Sequence, residues 1–198
     1  MAPSESDPKA QKILDAVRKV LAGNGYSGTT ISMVAGEAGV SRGLLHYYFK
    51  NKDEMLARVL KVNMEDSTLF IEEIFRTSRT AVEIAQRITG LLRGIMTEDS
   101  EFFCVFLEGF AVARQSEVVN AQLTSLYGKF RLAVLEQLAL AQKEGRIEPA
   151  LPLPGLAAMI TAIIDGLAMQ LVTEPELARD EEIWQTMTDT MIGLLAVG

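Results

Sequence analysis

Residues Thr30–Lys52, TISMVAGEAGVSRGLLHYYFKNK, decide the fold, because they alone read as a contact device and not merely as core. Thr30 is a good N-cap for a short helix whose apolar residues Ile31, Val34, Ala35 and Ala38 recur at helical spacing. The helix should stop at Gly39, since glycine takes a left-handed φ after a helix end without steric cost. Ser41 can then cap a second helix, from about Arg42 to Phe49. The predicted unit is helix, tight turn, helix, a shape whose second helix enters a DNA major groove.

On that second helix Leu45 and Phe49, at i and i+4, can face a core. The outward set is drawn from Arg42, Gly43, Leu44, His46, Tyr47 and Tyr48. Lys50 and Lys52 follow at once, and Asp53 and Glu54 suit the positive N-terminal dipole of a further helix.

The pattern T-T-I-x-x-V-A-x-x-A-G-V-S-x-G-L-L-x-x-Y-F-x-N-K-x-x-M-L, from Thr29 to Leu56, resembles the signature of TetR-type transcriptional regulators. The resemblance implies an all-α protein: an N-terminal three-helix helix-turn-helix domain followed by a larger helical ligand-binding and dimerisation domain. It also implies a homodimeric repressor that leaves a palindromic double-stranded DNA operator when a small-molecule effector binds. Arg42, Gly43, Leu44 and Tyr47 would approach bases or sugar edges, and Thr30, Ser41, Tyr48 and Lys52 would hold phosphates. His46, also in the DNA-binding set, stands where that family commonly has tyrosine.

Charge supports the same division. The whole chain carries −7, yet Lys9 to Lys52 holds seven basic residues (Lys9, Lys12, Arg18, Lys19, Arg42, Lys50, Lys52) against two acids (Asp15, Glu37), a balance of +5 that leaves −12 elsewhere. A basic end on an otherwise acidic chain is a sequence-level sign of nucleic-acid binding. With 198 residues there is ample chain for a small domain fused to a larger one. The expected division is a mobile tail over 1–8, a DNA-binding domain over 9–52, and a ligand-binding and dimerisation domain over 53–198.

Outside the central stretch, the first helix should run from about Lys9 to Ala22, ended by Gly23, Gly25 and Gly28, with Tyr26 packing under the helix-turn-helix. From Lys52 to about Arg76 no Pro or Gly interrupts a helix whose inward stripe is read as Met55, Leu56, Val59, Leu60 and Asn63, then Leu69, Phe70 and Ile74. Further helices fit about Ala81–Met96, Glu101–Arg114 and Glu117–Glu144, the last ended by Gly145 and the prolines after it. Within and beside them Met64, Met96, Phe102, Phe103, Phe106, Phe110, Tyr127 and Phe130 form an aromatic and methionine set suited either to core or to an apolar ligand pocket. Asp165 is the polar candidate to join it. The Asp165-Gly166 pair also resembles a dipeptide of a subgroup that includes regulators of betaine synthesis.

Leu153–Val172 has the length of a membrane span, but Asp165, Gln170 and Thr161 interrupt it. A central aspartate costs about 2.5 to 3.5 kcal/mol on insertion scales. The preferred reading is a helix buried on its own core and on a partner chain, with no membrane. A last helix, capped by Asp180, carries Ile183, Met187, Met191, Leu194 and Leu195 on one edge with Trp184 beside it. Helices at about 153–172 and 181–196 from each subunit would make the four-helix dimer interface that the resemblance implies.

The rival classes are an enzyme and a helix-turn-helix that binds protein and not DNA. No cofactor, metal site or catalytic group is expected: Gly36, Gly39 and Gly43 match no phosphate loop, and the sole histidine, His46, sits on the presumed reading helix. The single cysteine, Cys104, cannot form an intrachain disulfide and fits a reducing cytoplasm, and no basic segment followed by an apolar run suggests a secretory signal.

Overall fold

The computed structural model describes residues 8–98 and 101–196. The expected tail lies outside them except for Pro8, which opens the first helix. Nine α-helices account for nearly all the described residues: α1 (Pro8–Gly28), α2 (Ile31–Ala38), α3 (Arg42–Tyr48), α4 (Lys52–Thr77), α5 (Ala81–Glu98), α6 (Glu101–Ala113), α7 (Glu117–Lys143), α8 (Leu153–Thr173) and α9 (Glu181–Leu195). A 3-10 turn at Pro175–Arg179, which periodicity did not suggest, joins α8 to α9. The class is all-α, an N-terminal helix-turn-helix domain followed by a larger helical part.

The local chemistry of the central stretch is as its residues dictate. The Thr30 side chain accepts from Met33 N, and Gly39 takes φ 65, ψ 38 and closes α2 through its own N–H and that of Val40. An L side chain in this left-handed region costs roughly 1–2 kcal/mol, so glycine belongs at the turn. Ser41 then caps α3 by accepting from Leu44 N at 3.2 Å. Helix α1 extends past its expected end at Ala22 to Gly28, with a break at Gly25, where φ is 65.

By its internal packing the chain divides into two compact units, one of residues up to Met64 with Glu101–Leu126, the other Glu65–Ser100 with residues from Tyr127 on. This division differs from a boundary at residue 52. The first unit takes in α6, which packs on α1 and also meets α4, where a Cβ on Gly109 would come within 2.9 Å of Leu60 Cδ1. Its core holds Ile13, Val17, Val34, Leu45, Phe49, Met55, Leu56, Leu60 and Val105, all nearly inaccessible.

In the second unit α5 packs on α8 and α9 around Ile84, Ile88, Leu92, Leu156, Met191 and Leu195. Trp184 is also buried here, and its Nε1 donates to Ala178 O at 2.8 Å. The stripe read for the later part of α4 needs correction. Leu69 and Phe70 are 63% and 52% exposed, whereas Ile71, Ile74 and Phe75 are buried. Counting by 3.6 from Leu60 and Met64 leads to 71, 74 and 75; position 69 falls on the opposite side and position 70 on the flank of that stripe.

Helix α8 has the length and composition of a membrane span, with mean hydropathy 1.8 over its most apolar window, and only 33% of that window is buried within the chain. Met159 and Met169 are half exposed, and a groove of about 660 Å³ between α8 and α9 is lined by Ala162, Ile163, Gly166, Leu167, Ile183 and Thr190 among others.

Candidate nucleic-acid interface

Helix α3 is anchored from beneath and open above. Leu45 and Phe49 are buried, while Arg42, Gly43, His46 and Tyr47 are exposed and Leu44 is half-buried. A seven-residue helix has too few internal hydrogen bonds to hold itself in water, so this buried pair keeps it formed. Tyr47 is 64% exposed, and the ring of Tyr48 meets it edge-on with centroids 5.7 Å apart. Thr30 and Ser41, both exposed, stand at the N-termini of α2 and α3.

Two residues assigned to phosphate face inward. Tyr48 is only 7% exposed, since it follows Leu45 by three positions and shares its face. Lys52 is half-buried: its Nζ donates to Tyr26 O at 2.7 Å and Thr29 O at 3.3 Å, and lies 4.2 Å from the centre of the Tyr26 ring. It thereby adds a charged donor where α1 ends, at a Tyr26 carbonyl that also accepts from Thr29 N at 3.3 Å. Lys50, two residues earlier, is the exposed lysine of this corner.

Different outcomes follow for the two lysines. Lys52→Ala should cost about 1.5–3 kcal/mol of stability in urea denaturation, the range for hydrogen bonds to a charged group, with the salt dependence of DNA binding unchanged. Lys50→Ala should leave stability alone, weaken binding to every duplex, and lower the salt slope by about 1. The reverse pattern would restore Lys52 as the phosphate contact.

Sequence reasoning missed the bracing between α3 and α4. Asn51 Oδ1 accepts from Glu54 N at 2.9 Å, and Glu54 Oε2 accepts from Lys50 N at 2.8 Å. The N-x-x-E spacing over 51–54 signals such a cap. Beside it, the Asp53 carboxylate accepts from the Tyr26 hydroxyl and, at 2.6 Å, from Ser116 Oγ. Those bonds, Ser116 first, hold Asp53 below the usual carboxylate range. Burial, then the Asp53 carboxylate, pushes the Tyr26 phenol up to about 12.

The residues named for a ligand pocket divide between the two units. In the first unit Met64 is buried on α4, and Phe102, Phe103 and Phe106 form a ring cluster on α6 with neighbouring centroids 5.0 and 5.4 Å apart. Phe110 is 47% exposed. In the second unit Met96 and Phe130 are buried, while Tyr127 and Asp165 are half-buried and hydrogen-bonded to each other. Burial raises the Asp165 pKa, and the Tyr127 bond only partly opposes it. Burial foremost, then the Asp165 charge, raises that of Tyr127.

A capped helix-turn-helix with a basic and aromatic second helix, carried on a larger helical body, defines a DNA-binding transcriptional regulator. Comparison with known proteins agrees: residues 13–59 match the family of bacterial regulatory proteins, tetR family, and residues 85–196 match the BetI-type transcriptional repressor C-terminal domain. The chain belongs to the TetR family of ligand-responsive transcriptional repressors.

Among its relatives, the fatty acid metabolism regulator protein of Bacillus subtilis is 38% identical over 76 residues, which span 38% of this chain and only 39% of that protein. An uncharacterised HTH-type regulator from the dhlA 5′ region of Xanthobacter autotrophicus is 26% identical across 98% of this chain and 93% of its own. The crystal structure of the regulator FadR from Bacillus subtilis in complex with stearoyl-CoA superposes with a TM-score of 0.77 at 21% identity, covering 92% of this chain and 97% of that one.

Proposed function

We propose that the exposed face of α3 reads a palindromic operator, that the protein does so as a homodimer joined through α8 and α9, and that a small molecule held in the second unit releases it. The observation that carries this is the open side of α3: Arg42, Gly43, His46 and Tyr47 are exposed on a helix held in place by Leu45 and Phe49. Arg42 is the candidate for bidentate readout of guanine, and Gly43 lets the backbone approach the groove. Leu44, His46 and Tyr47 add contacts to base edges and sugars. Thr30, Ser41 and Lys50 hold phosphates, which set register without reading sequence.

The partly covered apolar surface of α8 supports the dimer. Two-fold symmetry would present two copies of α3 to one face of DNA, about a helical turn or more apart. An effector then releases the operator only if it binds the free form more tightly than the DNA-bound one.

For the effector, Asp165 supports a small molecule with a cationic head on an apolar body. Its carboxylate is half-buried, bonded to Tyr127, and in no ion pair among the described residues, so a bound cation would offset its desolvation. Choline and stearoyl-CoA serve as opposed probes, each scored by melting temperature and by affinity for a duplex selected by the protein from a random pool. Choline is expected to raise the melting temperature and weaken the duplex, and Asp165→Asn to abolish both effects. A response to stearoyl-CoA alone would contradict the cationic assignment.

A further inference from the structure

We propose that Asp53 is a positioning residue for operator recognition, fixing the reading helix through a Tyr26–Asp53–Ser116 chain that touches no DNA. The inference rests on the DNA-binding reading above. Both oxygens of the Asp53 carboxylate are occupied, Oδ1 by the Tyr26 hydroxyl at the end of α1 and Oδ2 by Ser116 Oγ at 2.6 Å. Ser116 is itself buried and caps α7 by accepting from Val119 N at 3.3 Å.

Tyr26 is engaged at every polar atom. Its N–H donates to Glu108 Oε2 of α6 at 2.7 Å, its carbonyl accepts from Lys52 Nζ at 2.7 Å, and its hydroxyl meets Asp53. The first turn of α4 is therefore tied to the ends of α1 and α7, and through Tyr26 to α6. These partners lie 27, 63 and 82 positions apart in sequence, so the junction belongs to the tertiary fold and not to any one helix.

Asp53 acts on α3 through the intervening corner. Between Tyr48 and Lys52 the chain has only Phe49, Lys50 and Asn51, and the Asn51–Glu54 and Glu54–Lys50 bonds stiffen it. A shift of the first turn of α4 passes into α3 with little slack. Both α4 and α7 run on beyond the first unit, to Thr77 and Lys143, and the carboxylate binds at the N-terminal end of each. Losing either donor unbalances the same carboxylate, so the two losses should not multiply.

The test uses the full chain with Tyr26→Phe, Ser116→Ala, the double variant and Ser116→Thr. The readout is the ratio of affinities for a duplex selected by the wild type from a random pool and for its scrambled sequence, measured well below each melting temperature. Each single variant is expected to lower the ratio on the order of fivefold, within the span known for residues remote from a ligand. The double variant should lose no more than the larger single one, and Ser116→Thr, which keeps the hydroxyl, should restore the ratio.

Tyr26→Phe retains the ring beneath Lys52 and keeps the test open if Ser116→Ala does not fold. An unchanged ratio, a parallel fall for both duplexes, multiplicative losses in the double variant, or failure of Ser116→Thr to rescue would each overturn the proposal. If the wild type enriches no duplex, the DNA-binding reading falls and takes this inference with it; if it enriches one that the variants bind unchanged, only this inference falls.

Discussion

Phe49→Ala is expected to lower the free energy of unfolding by about 3–5 kcal/mol, a large share of what holds a domain of this size together. Phe49 is 1% exposed and occupies the C-cap of α3, where its extended backbone starts the turn into α4 while its N–H still donates to Leu45 O at 2.9 Å. Its ring packs near Tyr48, with 6.4 Å between centroids, and beneath the Arg58 guanidinium at 5.5 Å. Arg58 in turn donates to Tyr48 O at 3.1 Å. Removing the ring opens a cavity where α3 meets α4 and leaves the short reading helix with only Leu45 and Tyr48 buried beneath it. Phe49→Leu, which keeps most of the volume, should cost less than about 1.5 kcal/mol. Urea denaturation separates the cases, and an alanine variant within about 1 kcal/mol of wild type would show that α3 is held by something other than this ring.

With two chains paired through α8 and α9 as proposed, Ala162→Arg is expected to turn a dimer into a monomer. Ala162 is exposed and lines the groove between α8 and α9, so arginine is accommodated in a single chain. Two-fold symmetry brings the substitution in twice, and an unpaired charge buried in a contact costs about 3–5 kcal/mol. The dissociation constant should therefore rise by more than about a hundredfold. Gly166, on the same groove, has no atom within 4 Å of where a Cβ would stand, which leaves room for a partner backbone to come close. Light scattering at micromolar concentration should give the mass of one chain for Ala162→Arg and of two for wild type. A dimer of unchanged stability would move the interface away from α8.

The parts of this fold that were legible in the sequence are those decided by neighbours in the chain. Thr30, Gly39 and Ser41 act within four residues of themselves, so caps and turn chemistry were enough to place α2 and α3. The all-helical class followed from periodicity and from where glycine and proline interrupt it. What escaped depends on distant partners. Whether Lys52 reaches a phosphate or the carbonyl of Tyr26 depends on where α1 ends, and no local pattern contains that. Leu69 and Phe70 look like core because they are apolar, although the helical count from Leu60 turns them off the inward stripe. The joining of α6 to the first unit rests on Gly109 against Leu60 and on Glu108 bonding Tyr26 N, contacts made across long stretches of chain. Asn51–Glu54 is the opposite case, a local signal open to sequence reading.

The central claim is that α3 reads DNA, and selection from a random duplex pool by wild type and Arg42→Ala, followed by a footprint at base resolution, tests it most directly. The wild type is predicted to enrich a palindrome whose half-sites lie about a helical turn or more apart on one face of the duplex. Arg42→Ala should weaken that site by about 1–3 kcal/mol and relax preference at one position in each half-site. No enriched sequence, or an Arg42→Ala protein with the affinity and footprint of wild type, would contradict it.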